Sequence, residues 1–265
     1  MADSERPRVC VQADLEGIVH AAAEAVVALS AAAIEARGRF TIALTGGRTA
    51  PALYRLLAEA YRDRVAWDRW HVFWSDERYV APESDLSNYY VARVSLLSRV
   101  PIPAAQVHPL ATLMPTPEEA AQAYEEELTR YFSGELPRFD LMLLGMGAEG
   151  HIASLFPHSP ALEEAAASRL VMAVAVPSQP PFRLTMTLPV INNAENVFFL
   201  VAGADKSAAL ERAVTGEPNA WECPASAVHP TNGVVMWWVD EAAFTYGRKG
   251  APKSRAGLLS RPCPT

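Results

Sequence analysis

The chain repeats one local pattern: a short apolar run, a turn dense in glycine or charge, then apolar residues at helical spacing. Phe40-Thr41-Ile42-Ala43-Leu44 is a buried-strand run ending in Thr45-Gly46-Gly47-Arg48-Thr49, after which Pro51 to Leu57 resume helical spacing. Trp70-His71-Val72-Phe73-Trp74 repeats the pattern, with Ser75-Asp76-Glu77-Arg78 just past its carboxyl end and Ser87 placed to cap a helix through Leu97. Strands that alternate with helices, each too apolar to be solvated on one side, imply a mostly parallel sheet covered by helices on both faces, an α/β Rossmann-like architecture.

The remaining elements fit this scheme. Apolar residues at Leu15, Ile18, Val19, Ala22, Val26, Leu29 and Ala33 predict a helix from Asp14, its cap, to about Arg37, with Gly38 ending it. Thr116-Pro117-Glu118-Glu119 is a capping box that opens a helix to about Phe132. Strands are expected at 139–144, 170–176, 197–201 and 234–239, and a helix at 205–214. One domain is expected over residues 1–246. Residues 247–265, with Arg248, Lys249, Lys253, Arg255 and Arg261 among Gly, Pro and Ser, are expected to form a basic, disordered tail.

Composition removes several function classes. Thirty acidic against twenty-three basic side chains give a net charge of −7, which disfavours nucleic acid and anionic lipid as partners. The apolar stretch 25–34 falls short of the roughly 20 residues of a membrane span. Cys10, Cys223 and Cys263 are odd in number and widely spaced, which sets aside a disulfide framework and a zinc module and makes a cytoplasmic home the expectation.

In an open parallel sheet, ligands collect beyond the carboxyl ends of the strands, where the unusual loops of this chain fall. Gly46 and Gly47, with Arg48, offer backbone N–H groups at a helix start, an arrangement suited to phosphate, or merely a tight turn. Arg78 could hold an anion bidentately with Asp76 orienting it, or form a local ion pair. Gly145, Gly147 and Gly150 surround Glu149 and His151; histidine suits proton transfer near neutrality, so His151 reads as a general base. The G-x-G-x-x-G spelling at 145–150 follows several strands rather than the first, which argues against a dinucleotide site. Arg183 stands alone in an apolar and hydroxylated segment, and Lys206 follows Gly203-Ala204-Asp205 at a strand-to-helix turn; together they could bind one phosphate. His158 reads as a surface-loop residue.

These motifs, namely Leu44-Thr45-Gly46-Gly47-Arg48-Thr49, Ser75-Asp76-Glu77-Arg78-Tyr79-Val80 with Ser87-Asn88-Tyr89, Gly145 to Pro157, Arg183-Leu184-Thr185 and Gly203-Ala204-Asp205-Lys206, resemble the 6-phosphogluconolactonase family. The resemblance implies a sugar-phosphate isomerase-like fold, hydrolysis of 6-phospho-D-glucono-1,5-lactone in the oxidative pentose phosphate pathway, and no metal or organic cofactor. It implies His151 as base, Glu149 as its orienting partner, and Gly46, Gly47, Arg48, Asp76, Arg78, Arg183 and Lys206 as substrate or phosphate contacts. The family carries Asp where this chain has Glu149, a change that moves the carboxylate by on the order of 1 Å. A monomer or weak homodimer is expected. Three rivals are weighed. A glucosamine-6-phosphate deaminase would carry an acid where this chain has Ser154-Leu155-Phe156-Pro157, and a serine hydrolase using Ser154 would need a G-x-S-x-G elbow. A non-catalytic sugar-phosphate sensor would need a DNA-binding helix pair, for which no room remains.

Overall fold

The computed structural model describes residues 8–245; the basic tail lies outside the described residues. In chain order the elements are β1 (Arg8–Gln12), α1 (Leu15–Arg37), β2 (Phe40–Leu44), α2 (Ala50–Ala60), β3 (Trp70–Trp74), β4 (Asp76–Arg78), α3 (Asn88–Ala92), α4 (Pro117–Tyr131), β5 (Leu141–Leu144), β6 (Val171–Ala175), β7 (Phe182–Met186), α5 (Leu188–Ile191), β8 (Asn196–Val201), α6 (Ser207–Thr215) and β9 (Val234–Asp240). Six strands form a parallel sheet in the order β1-β9-β8-β5-β2-β3. Every residue of β2 and of β5 is buried, the mark of strands covered on both sides.

The helix ends follow their sequence signals. Asp14 Oδ1 accepts from the Gly17 amide at 2.9 Å, and Gly38, at φ 73°, closes α1. By length and composition α1 could cross a membrane. Its buried face, with Ile18, Ala22, Ala23 and Val26, instead packs on β1, β2 and β9, as a core helix does. Thr116 caps α4 through the Glu119 amide at 3.2 Å. Ser87 likewise caps α3 through the Tyr90 amide at 3.1 Å. The helix expected to run on to Leu97 is α-helical only to Ala92, and residues 93–97 widen into a π turn where Ser95 Oγ donates to the Val91 carbonyl.

Two expectations are corrected. The segment 170–176 forms a strand, but outside the parallel sheet: β6 pairs antiparallel with β7, and β7 with β4, in a separate three-stranded sheet. The connection at 176–181 is too short for the crossover that a parallel pair needs, so the chain turns back as a hairpin. The charged stretch Asp76-Glu77-Arg78, expected as loop, is the edge strand of that sheet. The chain changes sheets at Ser75, whose amide donates to Leu44 O at 2.9 Å and whose carbonyl accepts from the Met186 amide at 2.8 Å.

Sheet order sets the location of the site. From β2 the chain moves outward to β3, then returns to place β5 on the other side of β2, with β8 and β9 beyond it. The switch point lies between β2 and β5, where a parallel sheet opens a crevice. Direct pairing of these strands covers Ile42↔Leu141 and Ala43↔Met142. At the far end they are locked by Asp140, whose Oδ2 accepts from the Thr41 amide at 2.6 Å and the Thr41 hydroxyl at 2.8 Å. At the near end Tyr54, fully buried, bonds both the amide and the carbonyl of Thr45 and pins the first glycine loop.

Candidate active site

A cavity of about 260 Å3 opens at the switch point, smaller than the roughly 300–1,000 Å3 common for drug-sized ligands and suited to a compact polar one. Gly46, Gly47, Arg48, Asp76, Arg78, His151, Arg183 and Lys206 line it, together with Gly145, Met146, Gly147 and Ala153. Glu149 stands behind His151 rather than on the wall. The loops after β2, β5 and β8 and the strands β4 and β7 thus meet at one place. His158 is exposed, at 3.7 Å from Glu222, and is not on the cavity wall.

Glu149 Oε1 lies 2.9 Å from His151 Nδ1. The hydrogen bond to His151 is the main cause that holds the Glu149 carboxyl down at about 2, with the charge of Lys206 a smaller contribution. A carboxylate at Nδ1 selects the tautomer with the proton on that nitrogen and leaves the Nε2 lone pair to accept one. The ring is also held by stacking on Phe156, centroid to centroid 4.0 Å. The longer side chain of Glu149 therefore reaches the imidazole at an ordinary hydrogen-bond distance. Gly147 is required beneath the pair: a Cβ there would come 2.1 Å from His151 Nδ1 and 2.3 Å from Glu149 Oε2. The amides of Gly147 and Gly150 donate to His151 O and Gly147 O, at 2.9 and 3.1 Å. These two amides of the glycine turn are therefore engaged within it.

On another part of the wall, Arg78 and Arg183 occupy facing positions of the antiparallel β4–β7 pair. Like charges directly opposite one another are destabilising. Arg183 is 7% exposed, and burial, followed by the charge of Arg78, lowers its affinity for its proton. Its Nε donates to Pro180 O at 2.9 Å and its Nη2 to Ser178 Oγ at 3.0 Å. Arg78 Nη1 donates to Leu86 O at 2.8 Å, while its buried Nε has no partner among the described residues. Arg78 forms no local ion pair among the described residues: its hydrogen bond goes to a carbonyl, and those of Arg183 go to a carbonyl and a hydroxyl. Lys206 Nζ and Arg48 Nη2 share Asp205 Oδ2, at 3.3 and 3.4 Å. Two guanidinium groups paired across strands, with a donor to spare, suit an anionic ligand.

Three residues acquire roles that sequence reasoning did not assign. Ser154 is fully buried, and its hydroxyl donates to Asp76 Oδ2 at 2.7 Å, so it ties its own turn to β4 rather than facing the cavity as a nucleophile. Asn88 Nδ2 donates to Asp76 O and Oδ1, at 2.9 and 3.1 Å. Ala153 adopts φ 45°, a conformation rare for alanine, in the turn that brings Ser154 to Asp76. The Ser87-Asn88-Tyr89 motif was a usable signal for Asn88; nothing in the sequence marks Ala153.

Fold and site together define an α/β protein with a crevice at the switch point that is lined by Arg48, Arg78, Arg183 and Lys206 and has His151, backed by Glu149, on its wall. A family model described as glucosamine-6-phosphate isomerases/6-phosphogluconolactonase matches residues 13–237. The chain belongs to that family. A 6-phosphogluconolactonase from Synechocystis sp. is 42% identical over 240 residues, 89% of this chain and 97% of the relative. One from Mycobacterium bovis is 41% identical over 237 residues, 87% and 94%. The crystal structure of 6-phosphogluconolactonase from Thermotoga maritima matches with a TM-score of 0.76 at 32% identity, covering 89% of this chain and all of that one. A monomeric glucosamine-6-phosphate deaminase, 19% identical with a TM-score of 0.74, shares the fold.

Proposed function

We infer that the crevice holds 6-phospho-D-glucono-1,5-lactone with its phosphate on Arg78, Arg183 and Lys206 and its C1 carbonyl beside His151. The activity is that of a 6-phosphogluconolactonase, a lactone hydrolase of the pentose phosphate pathway. Water attacks C1 as His151 Nε2 takes its proton, a step of a kind typically worth 10²–10⁴-fold. The tetrahedral intermediate collapses with cleavage of the bond from C1 to the ring oxygen, which receives the proton back from His151. The open-chain acid leaves as a carboxylate. Glu149 keeps the ring oriented and stabilises the transient imidazolium. With the Gly147 and Gly150 amides engaged, backbone stabilisation of the oxyanion falls to the wall segment Gly145-Met146. The grip on the remote phosphate, aided by Gly46, Gly47 and Arg48, fixes C1 against the base, with Asp76 holding the surrounding loops together.

The observation that carries the reading is the 2.9 Å His151–Glu149 contact in a cavity also lined by facing arginines. In the same reading the enzyme acts in the cytoplasm, as one domain through residue 246 and as a monomer or weak homodimer, with a small phosphorylated lactone as its partner. The test is a coupled assay on freshly generated lactone, corrected for spontaneous opening. Acceleration by the purified chain supports the reading, and ammonia release from glucosamine 6-phosphate instead would overturn it.

A further inference from the structure

Glu77 takes no part in the proton transfers above, yet it is 1% exposed at the edge of the site. Its carboxylate accepts four hydrogen bonds. Oε1 receives the amides of Arg78 and Asn88, at 2.6 and 2.7 Å, and Oε2 receives the Tyr89 amide and the Ser87 hydroxyl, at 2.7 and 2.9 Å. Burial pushes the carboxyl up and these donors oppose it. One donor comes from β4 and three from the start of α3, so the side chain fastens the two together. Through that joint it reaches both Arg78 and the Gly46-Gly47 loop. Arg78 Nη1 is held by Leu86 O, immediately before the capped turn. Asn88 bonds Asp76 and lies so close over Gly46 that a Cβ there would come 2.0 Å from Asn88 Oδ1.

We propose that Glu77 is a positioning residue for the phosphate grip: it sets Arg78 and the Gly46-Gly47 loop in register with each other. The inference rests on the phosphate reading given above. A carboxylate is needed because all four partners are donors and three are backbone amides that cannot turn round. Glutamine at 77 would place an NH2 group against at least one amide N–H, whichever way it is flipped.

The test compares full-length wild type, Glu77→Gln and Arg183→Met on the phosphorylated lactone and on unphosphorylated glucono-1,5-lactone, with kcat and KM separated. Glu77→Gln is expected to raise KM for the phosphorylated lactone by about ten-fold, with kcat and the unphosphorylated reaction little changed. If Arg183→Met abolishes the preference for phosphorylated substrate and Glu77→Gln leaves it intact, the inference falls and the phosphate reading stands. If neither variant alters the preference, the phosphate reading fails and the inference fails with it. Equal losses on both substrates reduce Glu77 to a structural residue and overturn the proposal. Should Glu77→Gln not fold, Asn88→Ala keeps the backbone amide on Glu77 and removes the bonds to Asp76 and the side chain packed over Gly46. The same selective rise in KM is expected, and equal losses again overturn the proposal.

Discussion

Replacing Arg183 by methionine keeps most of the side-chain volume while removing the guanidinium, and so separates binding from stability. Two of the five donors of this group are engaged by Pro180 O and Ser178 Oγ, which leaves the rest for a ligand. Loss of one charge-assisted hydrogen bond to phosphate, worth about 1.5–3 kcal/mol, corresponds to a rise in KM of roughly 10- to 150-fold. The free protein should lose far less. Relief of the repulsion with facing Arg78, about 0.2–1 kcal/mol, and of the cost of burying a charge offset the loss of the guanidinium's bonds to Pro180 O and Ser178 Oγ. The variant should therefore melt within about 1–2 kcal/mol of wild type. Inorganic phosphate at 100 times its Kd should stabilise wild type by about 2.7 kcal/mol and the variant much less. The assays are steady-state kinetics on both lactones and thermal melts with and without phosphate. A KM unchanged for the phosphorylated lactone, together with a lowered melting temperature, would refute the reasoning and make Arg183 a scaffold residue.

Glu149→Gln should lower kcat by on the order of 10²-fold with KM little changed, because the carboxylate orients and balances the imidazole rather than touching substrate. The same carboxyl is lowered in the folded state to about 2 from its ordinary value of 4.5, so its stabilisation is complete above about pH 4.5 and disappears as pH falls toward 2. Because the side chain is 44% exposed, the difference in stability between wild type and Glu149→Gln should be only about 1 kcal/mol at neutral pH, shrinking through that window in melts followed by circular dichroism. Gly147→Ala should displace the pair above it and cost about 10²-fold in kcat while the protein still folds, as read by kinetics beside a thermal melt. Ser154→Ala should keep turnover within about ten-fold and lose about 1 kcal/mol of stability, since its hydroxyl bonds Asp76; complete loss of activity in a folded variant would restore a nucleophilic role.

What could be read from sequence was what depends on local pattern. The runs at 40–44 and 70–74 had to be buried strands, and Asp14, Gly38, Ser87 and Thr116 had to bound helices, because each satisfies backbone groups within a few residues of itself. The residues lining the crevice were legible for a topological reason: in a parallel sheet the loops after the strands share one edge. What escaped depends on partners far along the chain. β1 is an edge strand of five residues, with Cys10 alone buried, that is fixed by pairing with β9, and its own composition signals little. The separate antiparallel sheet arises from the short return at 176–181, and it turns Asp76-Glu77-Arg78 from a charged loop into a strand facing Arg183. Glu77 was seen only as one charge among three. Its four donors, on residues 78 and 87–89, converge only once α3 is folded back on β4.

The most direct measurement of the central claim is the turnover of His151→Asn on freshly generated 6-phosphogluconolactone, taken alongside protection of its melting by inorganic phosphate. The account expects kcat to fall by about 10²–10⁴-fold while phosphate still protects the fold. Turnover within a few-fold of wild type, in a variant that is folded and binds phosphate, would contradict it.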